Sequence, residues 1–164
     1  MRLHIARDIR SPRTSFRGLD ADTTIHGITD GTWSFSDAIR ELLVYAGPCD
    51  MVISAWTLGK TCMQAMDRFR RRGMFRTAQV LVDMTFFQRH IRDSTYHAEL
   101  LRTFGVEHVR IWNSHAKFTI LHRADRLNLI YLTSANLNVN RRVENFTIVP
   151  GGELVAVYLS LIHI

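Results

Sequence analysis

The chain has 164 residues, 46% of them hydrophobic, which is enough for one domain with a buried core and too few for two. No apolar run approaches the roughly 20 residues of a membrane span, and arginines stand where a signal peptide would be apolar. We therefore expect a cytoplasmic protein without stable membrane insertion, and its formal net charge of +6 favours anionic partners such as nucleic acid or phospholipid head groups.

The residue types that usually bind metal ions show no ligand spacing. Cys49 and Cys62 are the only cysteines and lack CxxC spacing, so we predict two buried free thiols. The eight histidines form no HExxH or similar pattern. The sequence therefore predicts neither a metal ion nor another cofactor.

The start of the chain has no lasting periodicity. Residues 1–32 mix Arg, Asp, Thr and Gly, which predicts an irregular N-terminal arm with one short strand near 23–28. Residues 33–164 are predicted to form a single domain. This domain begins with a helix over 35–46, because Ser34 and Asp37 have the spacing of a capping box and apolar residues follow at helical intervals.

Strands and helices then alternate along the chain. The predicted elements are a strand over 51–56, a helix over 60–72, a strand over 78–84, a helix over 95–104 and a strand over 109–112. The first of these strands is a nearly continuous apolar run, which is typical of a strand covered on both faces.

After Trp112 the helices give way to strands. These are predicted over 117–121, 127–133 and 146–149, with a polar turn around 122–126. A helix that begins at Gly152 breaks off abruptly after Tyr158, and we expect it to be truncated. The fold class is therefore α/β, with a mixed β-sheet flanked by helices on both faces.

One segment stands out chemically. His115 and Lys117 lie two residues apart at the start of a predicted strand, so their side chains point to the same face. Among the 21 lysines and arginines only Lys60 and Lys117 are lysines, so a lysine here is an unusual choice. We expect an imidazole and an ammonium group to share one pocket.

Three more polar residues are candidates for the same pocket. Ser134 and Asn136 follow the end of the next predicted strand, and Glu144 precedes the strand after that. These side chains could converge on His115 and Lys117 across the sheet. No other part of the chain duplicates this segment, so a site that needs two copies must take one from another chain.

This set of residue types suits phosphodiester cleavage, which needs a nucleophile, an acid for the leaving alkoxide and donors around the phosphoryl oxygens. His115 can attack phosphorus to give a phosphohistidine. Lys117, Asn136 and Ser134 can hold the non-bridging oxygens, and Glu144 can hold an imidazole in the required tautomer. The chain lacks a second such imidazole for the leaving group.

These residues resemble the signature of the phospholipase D superfamily, which is HxKxxxxD followed by GSxN and then by an acidic residue. The chain reads HAKFTILH from His115 and TSANLNVNRRVEN from Thr133, and the resemblance covers residues 34–158. It implies a phospholipase D-like half-unit that forms a homodimer, in which one histidine attacks and its mate acts as acid. The resemblance implies no metal.

Two features depart from the family pattern. His122 stands where the family usually has Asp, and the spacing from His115 to Ser134 is longer than usual, as in an extended hairpin turn. In the family that Asp supports structure more than chemistry, and Asp125 in the longer turn could replace it. Thr133 in place of the family's Gly is a milder change.

Three functions remain open at this point. The favoured one is a metal-independent phosphodiesterase, a nuclease that acts on DNA or RNA through a phosphohistidine. The alternatives are a phospholipase-type hydrolase of lipid phosphodiesters and a catalytically silent dimer that binds nucleic acid. Trp33, Trp56 and Trp112 are predicted to be core or interface aromatics, and Trp112 is close enough to the motif to stack on a substrate base.

Overall fold

The computed structural model describes residues 1–90, 92–123, 128–139 and 142–162. Within these ranges the chain forms eight strands and six α-helices. The strands are β1 (Arg2–Ile5), β2 (Thr23–Thr29), β3 (Asp50–Ala55), β4 (Thr77–Asp83), β5 (Val109–Trp112), β6 (Phe118–His122), β7 (Leu129–Thr133) and β8 (Glu144–Pro150). The helices are α1 (Pro12–Ser15), α2 (Phe35–Ala46), α3 (Lys60–Arg71), α4 (Met84–Arg89), α5 (Ser94–Phe104) and α6 (Gly152–Leu161).

All of these strands belong to one sheet, in the order β1-β2-β8-β7-β6-β3-β4-β5. Strands β3, β4 and β5 are parallel, as their crossover helices require. Strands β6, β7 and β8 form an antiparallel meander, which joins β3 at one side and β2 at the other. The predicted mixed sheet is confirmed.

The sheet has a hydrophobic core on each face. Leu121, Tyr131 and Phe146 pack in the larger core, beneath α2, α3 and α5. Phe118 and Ile120 alternate to the other face and pack there with residues of α6. Helices thus cover both faces, as predicted, and this explains why β3 and β6 are almost wholly buried.

The first long helix begins as the sequence predicts. The Ser34 hydroxyl accepts a hydrogen bond from the Asp37 amide at 3.3 Å, and the Asp37 carboxylate accepts one from the Ser34 amide at 2.9 Å. This reciprocal pair satisfies two donors that a helix N-terminus otherwise leaves open. The helix ends at Gly47, whose φ of 68° suits glycine.

Residues 1–32 are more regular than the predicted arm: the short strand predicted near 23–28 forms as β2, whereas β1 and α1 were not predicted. β1 pairs in parallel with β2, and β2 pairs with β8, so this segment supplies two strands of the sheet. The weak signal has a physical reason, because all four β1 residues are exposed and an edge strand shows little hydrophobic alternation. Helix α4 was also missed, since it is short and follows directly on β4.

The C-terminal helix forms from Gly152 to Leu161, and Val155 is its buried anchor. We expected this helix to be truncated. Residues 163–164, the last two of the chain, lie outside the described residues. In the part of the chain that the structure describes, no helix has both the length and the apolar character needed to cross a membrane.

Candidate active site

The candidate residues meet at one edge of the sheet because of strand direction. Strands β3, β4 and β7 end at this edge, whereas the antiparallel partners β6 and β8 begin there. The Lys117 carbonyl, just before β6, accepts a hydrogen bond from the Thr133 amide at 3.1 Å. Thr133 also pairs with Phe146 on β8, the strand that begins at Glu144. Three neighbouring strands thus bring Lys117, Ser134 and Glu144 together.

His115 and Lys117 form a direct pair. Lys117 Nζ lies 2.9 Å from His115 Nδ1 and 2.9 Å from the His115 carbonyl oxygen. A charged ammonium must donate to Nδ1, so a neutral imidazole in this pair carries its proton on Nε2. His115 is exposed and Lys117 is half-buried, so the imidazole faces the surface while the ammonium lies deeper.

Ser134 and Glu144 form a second pair beside the first. The Ser134 hydroxyl donates to Glu144 Oε2 and accepts from the Asn145 amide at 3.0 Å. The Thr133 hydroxyl donates to the Asn145 carbonyl at 2.9 Å and accepts from the Ala135 amide at 3.0 Å. These bonds fix the turn after β7 against the start of β8, which explains how Thr133 can stand in the place of a glycine.

Asn136 is oriented from a different part of the chain. Its Oδ1 accepts a hydrogen bond from the Thr57 amide, two residues after β3, at 3.3 Å. This bond fixes the plane of the amide and directs Nδ2 to the other side. Asn136 is half-buried, so its side chain remains accessible at the edge of the sheet.

Two residues of this site were missed by sequence reasoning. The Trp56 ring lies against the His115 ring, with centroids 5.1 Å apart and planes inclined by 43°. Asp83, 4% exposed at the end of β4, accepts a hydrogen bond from the Ser114 amide at 3.1 Å. The signal for both was their position directly at the ends of β3 and β4. Trp112, predicted to be a core or interface aromatic, packs against the hydrophobic core on the α6 side of the sheet.

Burial and charge oppose each other at two groups. Burial lowers the pKa of Lys117, and the nearby Glu144 carboxylate works against this change. At Asp83, burial favours the protonated form, but hydrogen bonds from Thr85, Phe86 and Ser114 outweigh it and lower the pKa. This edge of the sheet therefore holds a buried anion, Asp83, and a partly desolvated cation, Lys117.

His122 lies at the opposite end of β6 from the HxK pair. It faces Asp50 of β3 in register, and its Nδ1 lies 2.9 Å from Asn128 Oδ1. His122, which stands where the phospholipase D signature has Asp, therefore lies away from the candidate site. Asp125, which could replace that Asp, lies outside the described residues.

The described residues include no group of three or more His, Cys, Asp or Glu side chains that could hold a metal ion. Cys49 and Cys62 are buried and free, as predicted. Burial raises the pKa of Cys49 to about 11, which keeps this thiol protonated.

Comparisons by sequence find no relative: no family model matches the chain, and no curated protein matches it. Among solved structures, the chain is similar to a phosphatidylserine synthase of Haemophilus influenzae Rd KW20, with a TM-score of 0.51, 15% identity and coverage of 82% of this chain and 36% of that one. A yeast tyrosyl-DNA phosphodiesterase matches with a TM-score of 0.46 and 9% identity, over 76% of this chain and 31% of that one. The archaeal chromatin protein TrmBL2 matches with a TM-score of 0.46 and 10% identity, over 88% of this chain and 51% of that one.

The chain spans between about a third and a half of the length of these three structures. At such identities the likeness concerns the fold alone, and for the synthase the TM-score is 0.51. The chain therefore has the phospholipase D-like fold that its motifs predict.

Proposed function

We propose that this chain is one subunit of a metal-independent phosphodiesterase that cleaves nucleic acid through a phosphohistidine, at a site shared by two copies of the chain. The observation that carries the proposal is the meeting of two pairs, His115 with Lys117 and Ser134 with Glu144, on adjoining strands at one edge of the sheet. Asn136 lies just beyond Ser134 at the same edge.

Each residue has a distinct task in this proposal. A His115 nitrogen attacks phosphorus, the bond to the leaving alkoxide breaks, and that alkoxide takes a proton from an acid. Water then cleaves the phosphohistidine and releases the enzyme. Lys117 and Asn136 Nδ2 stabilise the charge on the non-bridging oxygens, and the Ser134 hydroxyl joins them when its single proton turns from Glu144 to the phosphate.

A second subunit supplies what one chain lacks. The acid must be another imidazole, and the second copy of His115 is the natural candidate in a symmetric dimer. Attack through Nε2 also requires the ring proton to sit on Nδ1, where it needs an acceptor. Lys117, which donates to Nδ1 in the structure, must then turn to the phosphate, and we assign the task of accepting the Nδ1 proton to a carboxylate, Glu144 of the second copy.

Nucleic acid is the proposed substrate because of charge. The net charge of +6 suits a polyanion, and a cytoplasmic nuclease agrees with the free buried thiols. Lipid phosphodiesters are the second candidate, since one structural neighbour with a TM-score above 0.5 is a phosphatidylserine synthase. Both substrates would use the same chemistry at phosphorus.

The proposal is tested by incubating the purified protein with single-stranded DNA, double-stranded DNA, RNA and phosphatidylcholine vesicles, all in excess EDTA. We expect nucleic acid cleavage that His115→Asn abolishes. His122→Asn is the matched control, because it makes the same change at the far end of the same strand and should leave cleavage intact. Turnover of the vesicles alone would favour the lipid substrate, and salt-sensitive DNA binding without turnover would favour a silent binding dimer.

The shared site has its own test. Wild type and His115→Asn are mixed in equal amounts and allowed to exchange subunits. If the site is built from two copies, the mixture keeps about one quarter of the activity of the same total amount of wild-type protein, because only wild-type homodimers are active. A site complete within one chain leaves about one half, and that result would contradict the shared site.

A further inference from the structure

Arg89, at the end of α4, is an exposed cation beside the candidate site. Its guanidinium carbon lies over the Trp56 ring, 5.7 Å from the ring centroid, which is within the range of a cation–π contact. The same half-buried ring lies against the His115 imidazole, with centroids 5.1 Å apart. Trp56 thus contacts both the proposed nucleophile and a positive charge that the proposed reaction does not use.

The guanidinium keeps its hydrogen-bond donors available for a ligand. Among the residues that the structure describes, no group accepts a hydrogen bond from the Arg89 side chain and no carboxylate pairs with it. Lys60, at the start of α3, differs because it lies 3.4 Å from Asp93 and donates to Thr95 Oγ1 at 3.1 Å. A planar guanidinium with open N–H donors suits a phosphate group, which can accept two parallel hydrogen bonds from it.

The helix that carries Arg89 is tied to the segment that carries His115. Asp83 caps α4, since its carboxylate accepts a hydrogen bond from the Thr85 amide at 2.8 Å. The other oxygen of this carboxylate accepts one from the amide of Ser114, the residue before His115. The distance between the guanidinium and the imidazole is therefore set by the folded chain.

Strand order places Arg89 to one side of the proposed phosphate clamp. The clamp uses Lys117, just before β6, and Asn136, after β7, whereas Arg89 lies on the helix after β4. Strand β3, which ends beside Trp56, lies between β4 and β6. Two strand spacings of about 4.8 Å each thus separate the two positions. This offset directs Arg89 to the next phosphate of a polynucleotide, beyond the phosphate that the clamp holds.

We propose that Arg89, held over the Trp56 ring, binds the phosphate next to the scissile phosphodiester. The inference rests on the proposed function and identifies a polyanionic strand as the substrate class that this contact favours. Contacts with the phosphate backbone position a nucleic acid without reading its sequence. A lipid with a single phosphodiester offers no second phosphate to Arg89.

The test varies the charge next to the cleaved bond. Short oligonucleotides with a 5′ fluorescent label carry neutral methylphosphonate linkages except for one central phosphodiester, and they are made as DNA or RNA according to which the protein cleaves. Two further versions add a second phosphodiester on the 5′ or the 3′ side of the central one. Product length identifies cleavage of the central bond, and its kcat/KM is measured for each version. We expect a neighbouring charge on one side to raise this value by about tenfold, the effect of a charge-assisted hydrogen bond.

Three variants assign the effect. Arg89→Met keeps an apolar chain over the Trp56 ring but removes the charge and the donors, so it should abolish the advantage of the second phosphodiester. Arg89→Lys keeps the charge and should retain part of the advantage. Arg72→Met is the matched control, because it removes the charge of an exposed arginine at the opposite edge of the sheet, after α3, and it should preserve the advantage. Circular dichroism verifies folding.

The outcomes separate this inference from the proposed function. No advantage in the wild type, or an advantage that survives Arg89→Met, overturns the inference while the nuclease proposal stands. An equal loss in Arg89→Met on substrates with one and two phosphodiesters also overturns it, because that result indicates a contact with the scissile phosphate or an effect through Trp56. If the protein cleaves neither DNA nor RNA, the proposed function fails and the inference fails with it.

Discussion

The carboxylate of Asp83 accepts a hydrogen bond at 3.1 Å from the backbone amide of Ser114, the residue immediately before His115. The other carboxylate oxygen accepts hydrogen bonds from the Thr85 amide, at 2.8 Å, and from the Thr85 hydroxyl. Trp56 Nε1 donates to that same hydroxyl at 3.3 Å. Asp83 thus positions both the segment that carries His115 and the ring that lies against it.

Replacement of Asp83 by Asn should disturb this arrangement. An amide has a single acceptor oxygen, so either Ser114 or Thr85 loses its partner and faces an N–H group instead. We expect kcat to fall with little change in KM, because the nucleophile is misplaced while the phosphate clamp remains. The free energy of unfolding should fall by about 1 to 3 kcal/mol, measured by urea denaturation.

Asp50→Asn provides the control for Asp83→Asn. Asp50 starts β3 at the opposite end of the sheet, where it pairs with Arg76 near the surface. We expect activity to be unchanged and stability to change by less than about 1 kcal/mol. An equal loss of kcat in both variants would contradict a positioning role for Asp83.

Glu144→Gln should change the pH dependence of the reaction. The Glu144 carboxylate raises the pKa of Lys117, whereas burial lowers it, so loss of that charge lets the Lys117 pKa fall further. Activity needs the ammonium form, so the decline of kcat at high pH should move to lower pH. The measurement is a pH–rate profile of the residual activity, with exposed Glu153→Gln as a control whose profile should match wild type.

Lys117→Arg should reduce the rate severely although it preserves the charge. Lys117 Nζ contacts both His115 Nδ1 and the His115 carbonyl at 2.9 Å, a close approach that suits a compact ammonium. A planar guanidinium needs more room and cannot keep both contacts. We expect kcat to fall by at least about a hundredfold, by analogy with the loss of an oxyanion donor. Near-normal turnover would argue against a tight phosphate clamp.

Gly27→Ala should destabilise the sheet. A Cβ at Gly27 would lie 2.6 Å from Cζ of the buried Phe146 ring, which packs among other aromatic rings and has little room to move. Overpacking of this kind costs about 1 to 3 kcal/mol, measurable as a lower melting temperature. Gly152→Ala is the control, because the nearest atom to its new Cβ is 3.9 Å away and the melting temperature should hardly change.

Much of the fold could be read from the sequence because strong local signals agree with the tertiary structure. The helix at Phe35–Ala46 and the strand at Val109–Trp112 have the bounds that were predicted, and the Ser34 and Asp37 capping box forms as expected. The exposed strand β1 gave no such signal, because its pairing with β2 depends on backbone hydrogen bonds that any residue can make.

The candidate site likewise contains residues that the sequence could predict and residues that it could not. His115, Lys117, Ser134, Asn136 and Glu144 lie within one short stretch of chain, so strand alternation and a known motif were enough to select them. Asp83 and Trp56 reach the site only through the order of strands in the sheet, which places the ends of β3 and β4 beside β6. No local pattern records that order.

The pairing of β2 with β8 also has a consequence for folding kinetics. His26 and Thr147 share a side-chain hydrogen bond at 2.8 Å although 121 positions separate them. The meander of β6 to β8 closes only short loops, whereas attachment of the N-terminal strands must await a search over most of the chain. Contacts within the meander are therefore local, whereas those between β2 and β8 are long-range. We expect the segment from His115 to Glu144 to become structured before β2 pairs with β8.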